Sequence, residues 1–223
     1  MEEKKKKERK KRVALLLKEL KKLYPNPTIA LRYKNNWQLL VAVILSAQCT
    51  DIMVNKVTKN LFKKYKTLDE YVHADIEEFQ KDIKSTGFYR NKAKNILAAA
   101  KKIKKEFGGK LPNTMEEILT IPGVARKTAN VVLGNAYGVV DGIAVDTHVR
   151  RFAFRFNLTD FHDPVRIERD LMEILPRGEW FLFTYRVIEY GRHIAPARKY
   201  DTKNDPLVGV YPEAGKIFRV EKK

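Results

Sequence analysis

The fold of this chain is most evident in a stretch near its middle, Ile118-Leu119-Thr120-Ile121-Pro122-Gly123-Val124-Ala125-Arg126-Lys127-Thr128-Ala129. The pattern predicts two helical segments joined by a very tight turn. Pro122 ends the first segment, and Gly123 permits a backbone conformation that is closed to other residues. The amides that open the second segment then point outward, where the helix dipole favours a phosphate. Either the turn holds a phosphate without recognising sequence, or it is an ordinary helix connection.

Apolar residues recur with helical spacing on both sides of this turn, and each stripe is predicted to be core. The stripes are Val13, Leu16, Leu17, Leu20 and Leu23; Leu40, Val43, Ile44 and Ala47; Ile96, Ala99, Ala100, Ile103 and Phe107; Ala129, Val132, Leu133 and Ala136; Ile167, Leu171, Ile174 and Leu175; and Trp180, Thr184, Val187, Ile188 and Gly191. Two capping boxes, Thr67 with Glu70 and Thr114 with Glu117, support helix starts. Since no alternating strand pattern competes, the predicted fold is all-α.

The charge balance favours a polyanionic partner. Lys and Arg number 45 against 27 Asp and Glu, a formal net charge of +18 in 223 residues. Phosphates that bind basic side chains release counterions, so nucleic acid is the first candidate. A lysine-rich solvated surface is the alternative. The run over residues 1–12 is predicted to be a basic, flexible arm.

Cysteine and histidine usage argues against disulfides and metal. The single cysteine, Cys49, excludes an internal disulfide, and four scattered histidines leave no spacing suited to zinc. We therefore expect no metal and no cofactor. No apolar run approaches the ~20 residues of a membrane span. The expectation is a soluble, intracellular monomer without a membrane partner, located in the cytoplasm at the nucleoid if the source is prokaryotic.

Lys127 is the candidate nucleophile. It lies in the first turns of the second helical segment beside Arg126, and both the positive helix end and the neighbouring cation favour a neutral, nucleophilic amine, as burial would. Downstream, Ile143-Ala144-Val145-Asp146-Thr147-His148 leads through apolar residues into a carboxylate, which predicts a partly buried Asp146. If Asp146 folds back to the amine, it assists deprotonation and stabilises positive charge on a sugar. Alternatively, Lys127 is a solvent-facing charge and Asp146 caps a helix over 149–156; capping is compatible with catalysis.

With Lys127 and Asp146 in place, the chain resembles the endonuclease III family of helix-hairpin-helix DNA glycosylases. The resemblance covers roughly residues 30 to 199. Several motifs occur in order: Leu45-Ser46-Ala47-Gln48-Cys49-Thr50-Asp51 with Val54-Asn55-Lys56, Gly87-Phe88-Tyr89 with Lys92-Ala93, the turn through Asn130, Val145-Asp146-Thr147-His148, Tyr190-Gly191-Arg192, and Ala197-Arg198-Lys199.

The resemblance implies a bifunctional enzyme of base excision repair that acts on double-stranded DNA containing oxidised pyrimidines or abasic sites. Lys127 would attack the sugar, form a Schiff base as the base departs, and cleave the strand by β-elimination, with Asp146 as its partner. Gln48 and Phe88 match positions whose side chains the family inserts into the DNA double helix when the target base is extruded. A buried polar role for Gln48 and a core role for Phe88 are the alternatives. Further DNA contacts are implied for Ile121, Gly123, Ala125, Arg126, Thr128 and His148.

Two helical domains are also implied: a six-helix barrel with the helix-hairpin-helix over residues 29–138, and a second domain from residues 13–28 and 139–223, with DNA bound across the cleft between them. The chain departs from typical members, which have four C-terminal cysteines that hold an iron-sulfur cluster. Ala195 and Thr202 stand where the first two would fall, and no cysteine follows. We expect an irregular C-terminal segment in which apolar packing replaces the cluster, by Leu207, Val208, Val210, Tyr211, Ile217 and Phe218.

Two other functions remain open. The same fold serves glycosylases for mismatched thymine or uracil and for oxidised guanine, although Lys127 argues against the adenine and thymine mismatch branches, which typically lack that lysine. The other possibility is a DNA-binding protein that has lost catalysis together with the cluster. The presence of both Lys127 and Asp146 argues against this second possibility.

Overall fold

The protein is all-helical over residues 2–198 and 200–216, which are the residues that the computed structural model describes. Those residues form eleven α-helices and contain no β-strand, so the all-α prediction is confirmed. The helices are α1 (Glu2–Leu23), α2 (Asn36–Ser46), α3 (Asp51–Lys64), α4 (Leu68–Val72), α5 (Ile76–Ile83), α6 (Tyr89–Glu106), α7 (Met115–Ile118), α8 (Arg126–Tyr137), α9 (Thr147–Arg155), α10 (Pro164–Ile174) and α11 (Trp180–His193), with 3₁₀ turns at Lys84–Thr86, Arg177–Glu179 and Pro212–Lys216. Within these ranges no helix is long and apolar enough to cross a membrane.

The chain divides into two compact units. Residues 29–141 form the central unit, and residues 1–28 with 142–223 form the terminal unit. The first boundary falls between residues 28 and 29. The second falls between residues 141 and 142, within the loop that joins α8 to α9 and slightly later than the predicted position between 138 and 139.

The core of the central unit is built from the stripes that the sequence predicted. In α2 every residue from Gln38 to Leu45 is buried, and this helix packs on α8, while α6 packs on α4 and α5. Leu39 and Leu40 are fully buried, so truncating either to Ala costs about 2–5 kcal/mol of folding free energy. Residues 29–141, all of them described, hold seven α-helices, more than the implied six because one-turn helices such as α7 are counted. Ala47 was predicted to be core and is exposed, because α2 ends at Ser46.

The terminal unit has its own core, formed by α1, α9, α10 and α11. Aromatic rings pack edge to face at its centre, with Phe152 against Phe183 and Tyr190 at centroid distances of 5.8 and 5.5 Å. The predicted stripe of α1 is buried from Val13 to Leu20, but Leu23 is 37% exposed because it is the last residue of the helix.

The basic N-terminus is helical, so the prediction of a flexible arm over residues 1–12 is wrong for residues 2–12. Helix α1 begins at Glu2 and continues without interruption into the apolar stripe. Arg9 is buried and donates to the carbonyl of Asn157 at 3.1 Å. Lys5 pairs with Asp160 at 2.7 Å, and Arg9 pairs with the same carboxylate at 2.8 Å. These partners lie far along the chain, where local sequence patterns do not indicate pairing.

Candidate functional site

The tight turn predicted at Gly123 is present in the central unit. After α7 ends, the N–H groups of Ile121 and Val124 donate to the carbonyls of Ile118 and Ile121, both at 3.1 Å. Gly123 has a φ of +81°, and a Cβ added there would lie 2.8 Å from the Cβ of Asn95. Both the backbone angle and the close approach therefore require glycine. Gly123 is exposed, whereas the Ile121 side chain is buried, which leaves only the backbone of Ile121 for a DNA contact.

Helix α8 begins at this turn without a side-chain cap. Its N-cap residue, Ala125, makes no capping hydrogen bond, whereas α7 and α9 are capped by Thr114 and Asp146. An uncapped N-terminus presents amides and a partial positive charge to an anion. Lys127 lies in this first turn and is exposed, so the burial that would have assisted its activation does not occur. Exposure instead leaves its amine accessible to a nucleotide.

The other hairpin residues surround this helix start. Ala125 is exposed, and Arg126 and Thr128 are half-buried. The Arg126 guanidinium lies 3.9 Å from the carboxylate of Asp141. Arg126 is thus the cationic neighbour of Lys127 at the positive end of the helix, and a carboxylate lies near its guanidinium.

Two exposed loops of the central unit have left-handed backbone. Gln48, between α2 and α3, has a φ of 53°, and Phe88, at the start of α6, has a φ of 48°. Such angles cost a non-glycine residue about 1–2 kcal/mol. Gln48 is exposed and Phe88 is 63% exposed, so neither the buried polar role for Gln48 nor the core role for Phe88 applies. Strained, exposed residues of this kind indicate a functional constraint on the loops.

Four residues predicted to contact DNA border the same cleft of about 200 Å³ in the central unit. They are Gln48, Phe88, Gly123 and Thr128, and the cleft is also lined by Lys92, Asn91 and Asn95. The structure therefore brings the two loops and the glycine turn together, although they are separated along the chain.

Lys92 is a residue at this site to which sequence reasoning assigned no role. It is 5% exposed, and its ammonium donates to the carbonyls of Leu45 and Thr86, both at 2.8 Å. Burial holds the pKa of Lys92 below its usual value. A signal was present in the sequence, because Lys92 lies one helical turn before Ile96 and so on the apolar stripe of α6. A lysine on a core-facing stripe is unusual.

Asp146 lies in the terminal unit, where it caps α9. Its Oδ1 accepts from the N–H groups of His148 and Val149 at 2.8 and 2.9 Å, as the capping interpretation predicted. Asp146 is half-buried and follows the buried residues 143–145. The hydroxyl of Thr184 in α11 donates to the carbonyl of Ala144 at 3.3 Å, which fixes this approach. Capping occupies Oδ1 and leaves the other carboxylate oxygen, Oδ2, without a hydrogen-bond partner in the part of the chain that is described.

His148, also predicted to contact DNA, packs directly on Gly191. A Cβ on Gly191 would lie 2.3 Å from the His148 Nδ1, so a larger residue would displace the ring. The Arg151 guanidinium lies 3.3 Å from the same nitrogen and donates to the carbonyl of Ala195 at 3.1 Å. Burial lowers the pKa of Arg151 from its usual value. Glycine in the Tyr190-Gly191-Arg192 motif is thus explained by the position of His148.

The C-terminal segment does not fit the iron-sulfur cluster of typical family members. Such a cluster needs thiolate ligands, but Ala195 is a buried methyl group and Thr202 is half-buried. The single cysteine, Cys49, belongs to the central unit. Over residues 2–198 and 200–216, no group of three or more His, Cys, Asp or Glu side chains is arranged to hold a metal ion.

A buried polar cluster stabilises this segment. The hydroxyls of Tyr190 and Tyr200 both donate to Oδ2 of the buried Asp205, and the Leu207 N–H donates to Oδ1 at 2.9 Å. The buried guanidinium of Arg155 lies 4.0 Å over the Tyr200 ring. The apolar packing predicted here is present in part: Leu207 is buried, while Val208, Val210 and Tyr211 are half-buried. Ile217 and Phe218, and Lys199 of the Ala197-Arg198-Lys199 motif, lie outside the described residues.

Comparison with known proteins identifies the class. Residues 41–177 match the HhH-GPD superfamily of base excision DNA repair proteins. The chain is 53% identical over 188 residues to endonuclease III of Synechocystis sp. (strain ATCC 27184 / PCC 6803 / Kazusa), covering 84% of this chain and 86% of that protein. It is 42% identical to endonuclease III of Bacillus subtilis (strain 168), covering 92% of this chain and 94% of that protein.

A solved structure of a trapped covalent intermediate between endonuclease III and DNA, an estranged-adenine complex, superimposes with a TM-score of 0.88. Its sequence is 41% identical, and the match covers 93% of this chain and 97% of that chain. The chain therefore belongs to the HhH-GPD superfamily and, within it, to the endonuclease III family, which confirms the resemblance.

Proposed function

We propose that the protein is a bifunctional DNA glycosylase and lyase that removes oxidised pyrimidines from double-stranded DNA and cleaves the strand at the abasic site. The observation that carries this proposal is the exposed Lys127 on the first turn of the uncapped helix α8. Membership of the endonuclease III family supports it, and so does the covalent intermediate with DNA that has been trapped for a related endonuclease III.

Binding begins with the phosphate backbone. The exposed turn at Gly123 and the amides of the α8 N-terminus hold a phosphate through main-chain donors, which gives affinity without sequence recognition. The target nucleotide leaves the stack so that its sugar reaches Lys127. Gln48 and Phe88, on loops that border the same cleft, then occupy the space left in the duplex.

The chemistry begins at the amine of Lys127. The Nζ of Lys127 attacks C1′ of the damaged nucleotide, the bond from C1′ to the base breaks, and the base departs with the electron pair. The nitrogen loses a proton, the bond from C1′ to the ring oxygen then breaks as that oxygen takes up a proton, and the nitrogen lone pair forms the C1′=N bond of the Schiff base. Removal of a proton from C2′ expels the 3′ phosphate, and water then releases the enzyme. Asp146, whose Oδ2 is not used for capping, assists deprotonation and stabilises positive charge on the sugar. No step requires an iron-sulfur cluster.

The substrate is tested with duplexes that differ in one nucleotide: thymine glycol, 8-oxoguanine opposite cytosine, a guanine-thymine mismatch, and an abasic site. We expect release of the base and strand cleavage on thymine glycol and cleavage at the abasic site. Preferred action on 8-oxoguanine or the mismatch would reassign the substrate while keeping the family. Binding to all duplexes without any reaction would make the protein a DNA-binding protein.

The place of action is proposed from the relatives. Both related endonuclease III proteins described above are bacterial, which supports action inside the cell, at the nucleoid. We expect a monomer, since one active site serves one damaged nucleotide. Fractionation of cells and light scattering of the purified protein with and without DNA test these two points.

A further inference from the structure

Lys92 has a buried ammonium that connects the two segments leading into the loops of Gln48 and Phe88. Its two acceptors are the carbonyl of Leu45, three residues before Gln48, and the carbonyl of Thr86, two residues before Phe88. Both distances are 2.8 Å. A single side chain on α6 therefore binds the main chain of the two segments that lead into these loops, the end of α2 and the 3₁₀ turn at Lys84–Thr86.

Each of these acceptors has few other partners available to it. Leu45 is among the last residues of α2, whose terminal carbonyls have no partner within the helix and carry a partial negative charge that a cation satisfies well. Thr86 is buried, and its own hydroxyl donates to the carbonyl of Ile83 at 2.8 Å. The Lys92 ammonium thus neutralises one helix end and fixes the turn that precedes Phe88.

Packing alone does not explain a lysine at this position. Burying an ammonium carries a desolvation cost that an apolar side chain of similar volume avoids. Lys92 also borders the cleft lined by Gln48 and Phe88, two exposed non-glycine residues with left-handed backbone. Strained loops persist only where surrounding structure over-determines them.

We propose that Lys92 is a positioning residue that sets the separation and orientation of Gln48 and Phe88, so that both enter the same gap in the duplex when a nucleotide is extruded. The inference rests on the proposed function. Lys92 touches neither the sugar nor the base, and it acts on catalysis only through the two loops.

The experiment compares Lys92→Met, which keeps the length and volume, with Lys92→Arg, which keeps charge and donors. Lys101→Met is the control, because it removes an exposed lysine from the same helix. Each variant is assayed on a duplex and on single-stranded DNA, both with an abasic site. Single-stranded DNA needs no extrusion from a stack and leaves no gap to fill. Borohydride trapping on the single strand counts active molecules and corrects for any loss of folded protein.

We expect Lys92→Met to lower kcat/KM on the duplex about 10- to 100-fold, since a misplaced positioning group commonly costs that much, with a change below about twofold on the single strand. Lys92→Arg should recover part of the loss, and Lys101→Met should match the parent. A second readout is the fluorescence of 2-aminopurine beside an uncleavable abasic analogue, which rises when the stack is opened. This rise should be smaller with Lys92→Met.

Equal losses on both substrates after correction, or no loss on either, would overturn the inference, and Lys92 would then serve stability alone. Failure of the proposed function has a different signature, because the parent protein itself would trap neither substrate.

Discussion

Replacing Gly123 by Ala tests whether the turn before α8 holds DNA in the manner proposed. Two costs act together at this position: the left-handed φ of +81°, and the contact of 2.8 Å that a new Cβ would make with the Cβ of Asn95. Gly138, the C-cap of the same helix, provides a matched control. Its φ is +67°, but a Cβ added there has nothing within 4 Å.

The control separates the two costs. An alanine with left-handed backbone costs about 1 kcal/mol in either variant. The contact with Asn95 adds about 1–3 kcal/mol, because a β-carbon cannot rotate away and the turn itself must move. Gly123→Ala should therefore lower the free energy of unfolding by about 2–4 kcal/mol, and Gly138→Ala by about 1 kcal/mol.

The displaced turn should also bind DNA more weakly. Loss of one hydrogen bond to a charged phosphate costs about 1.5–3 kcal/mol, which raises Kd about 10- to 100-fold. Kd is measured by fluorescence anisotropy on a duplex with an uncleavable abasic analogue, at one fixed salt concentration, and stability by urea unfolding. Equal Kd values for the Gly123→Ala and Gly138→Ala proteins would refute the assignment of the turn to phosphate binding.

Four further predictions concern other parts of the molecule. Asp146→Asn keeps an N-cap residue, so stability should change by less than about 0.5 kcal/mol while Schiff-base trapping falls about 100-fold or more; Asp146→Ala should also cost about 1 kcal/mol of stability. Burial and the hydrogen bond to Asp205 raise the pKa of Tyr200 to about 12. In the unfolded chain the Tyr200 hydroxyl loses its proton near pH ~10. The stabilisation of the folded state by this hydroxyl is therefore complete below that pH and is lost as pH rises towards 12. Tyr200→Phe should flatten the resulting alkaline fall in melting temperature. The hydrogen bond from Lys5 lowers the pKa of Asp160. The Asp160 carboxylate therefore stabilises the folded state above pH ~4, and this stabilisation is lost in stronger acid. Asp160→Asn should speed amide exchange over residues 2–12. Purified protein should contain no iron and no iron-sulfur absorbance in the visible range, and chelators should leave its melting temperature unchanged.

Each of these four predictions has an outcome that would contradict it. Loss of stability in Asp146→Asn equal to that in Asp146→Ala would mean that the carboxylate matters mainly to the fold. An unchanged alkaline transition in Tyr200→Phe would contradict the cluster around Asp205, and unchanged exchange in Asp160→Asn would contradict the anchoring of the N-terminus. Iron in stoichiometric amount would contradict the prediction that the C-terminal segment holds no iron-sulfur cluster.

Local chemistry made much of this fold predictable. The apolar stripes, the cap at Asp146 and the glycine turn at Gly123 each follow from a few neighbouring residues. Backbone geometry and helix periodicity act over one or two turns, so a single sequence contains the information. The family resemblance then connected Lys127 with Asp146, which spacing alone left open.

Features that depend on distant partners were not predictable. Lys5 and Arg9 in the N-terminal helix pair with Asp160, and no local pattern indicates that pairing. The polar cluster around Asp205 likewise combines a helix residue, Tyr190, with a segment that had been expected to pack through apolar residues. Polar contacts between segments remote in sequence need the folded chain to be recognised.

The role of Lys92 was only partly predictable from the sequence. Its position on the apolar stripe of α6 was visible in the sequence, but its acceptors are main-chain carbonyls at the end of α2 and in the 3₁₀ turn before α6, and main-chain carbonyls leave no mark on residue type. The backbone conformation of Gln48 was also not predictable, because glutamine does not favour the left-handed region that it adopts here. The backbone groups that a side chain binds are therefore hard to predict from sequence alone.

The central claim is that Lys127 is the nucleophile, and borohydride trapping tests it most directly. The parent protein and Lys127→Ala are incubated with a duplex containing thymine glycol or an abasic site, and the covalent complex is measured on a denaturing gel. We expect a trapped complex with the parent on both duplexes and none with Lys127→Ala, which should still bind DNA. A parent protein that binds the duplexes without trapping, or a Lys127→Ala protein that traps as well as the parent, would contradict it.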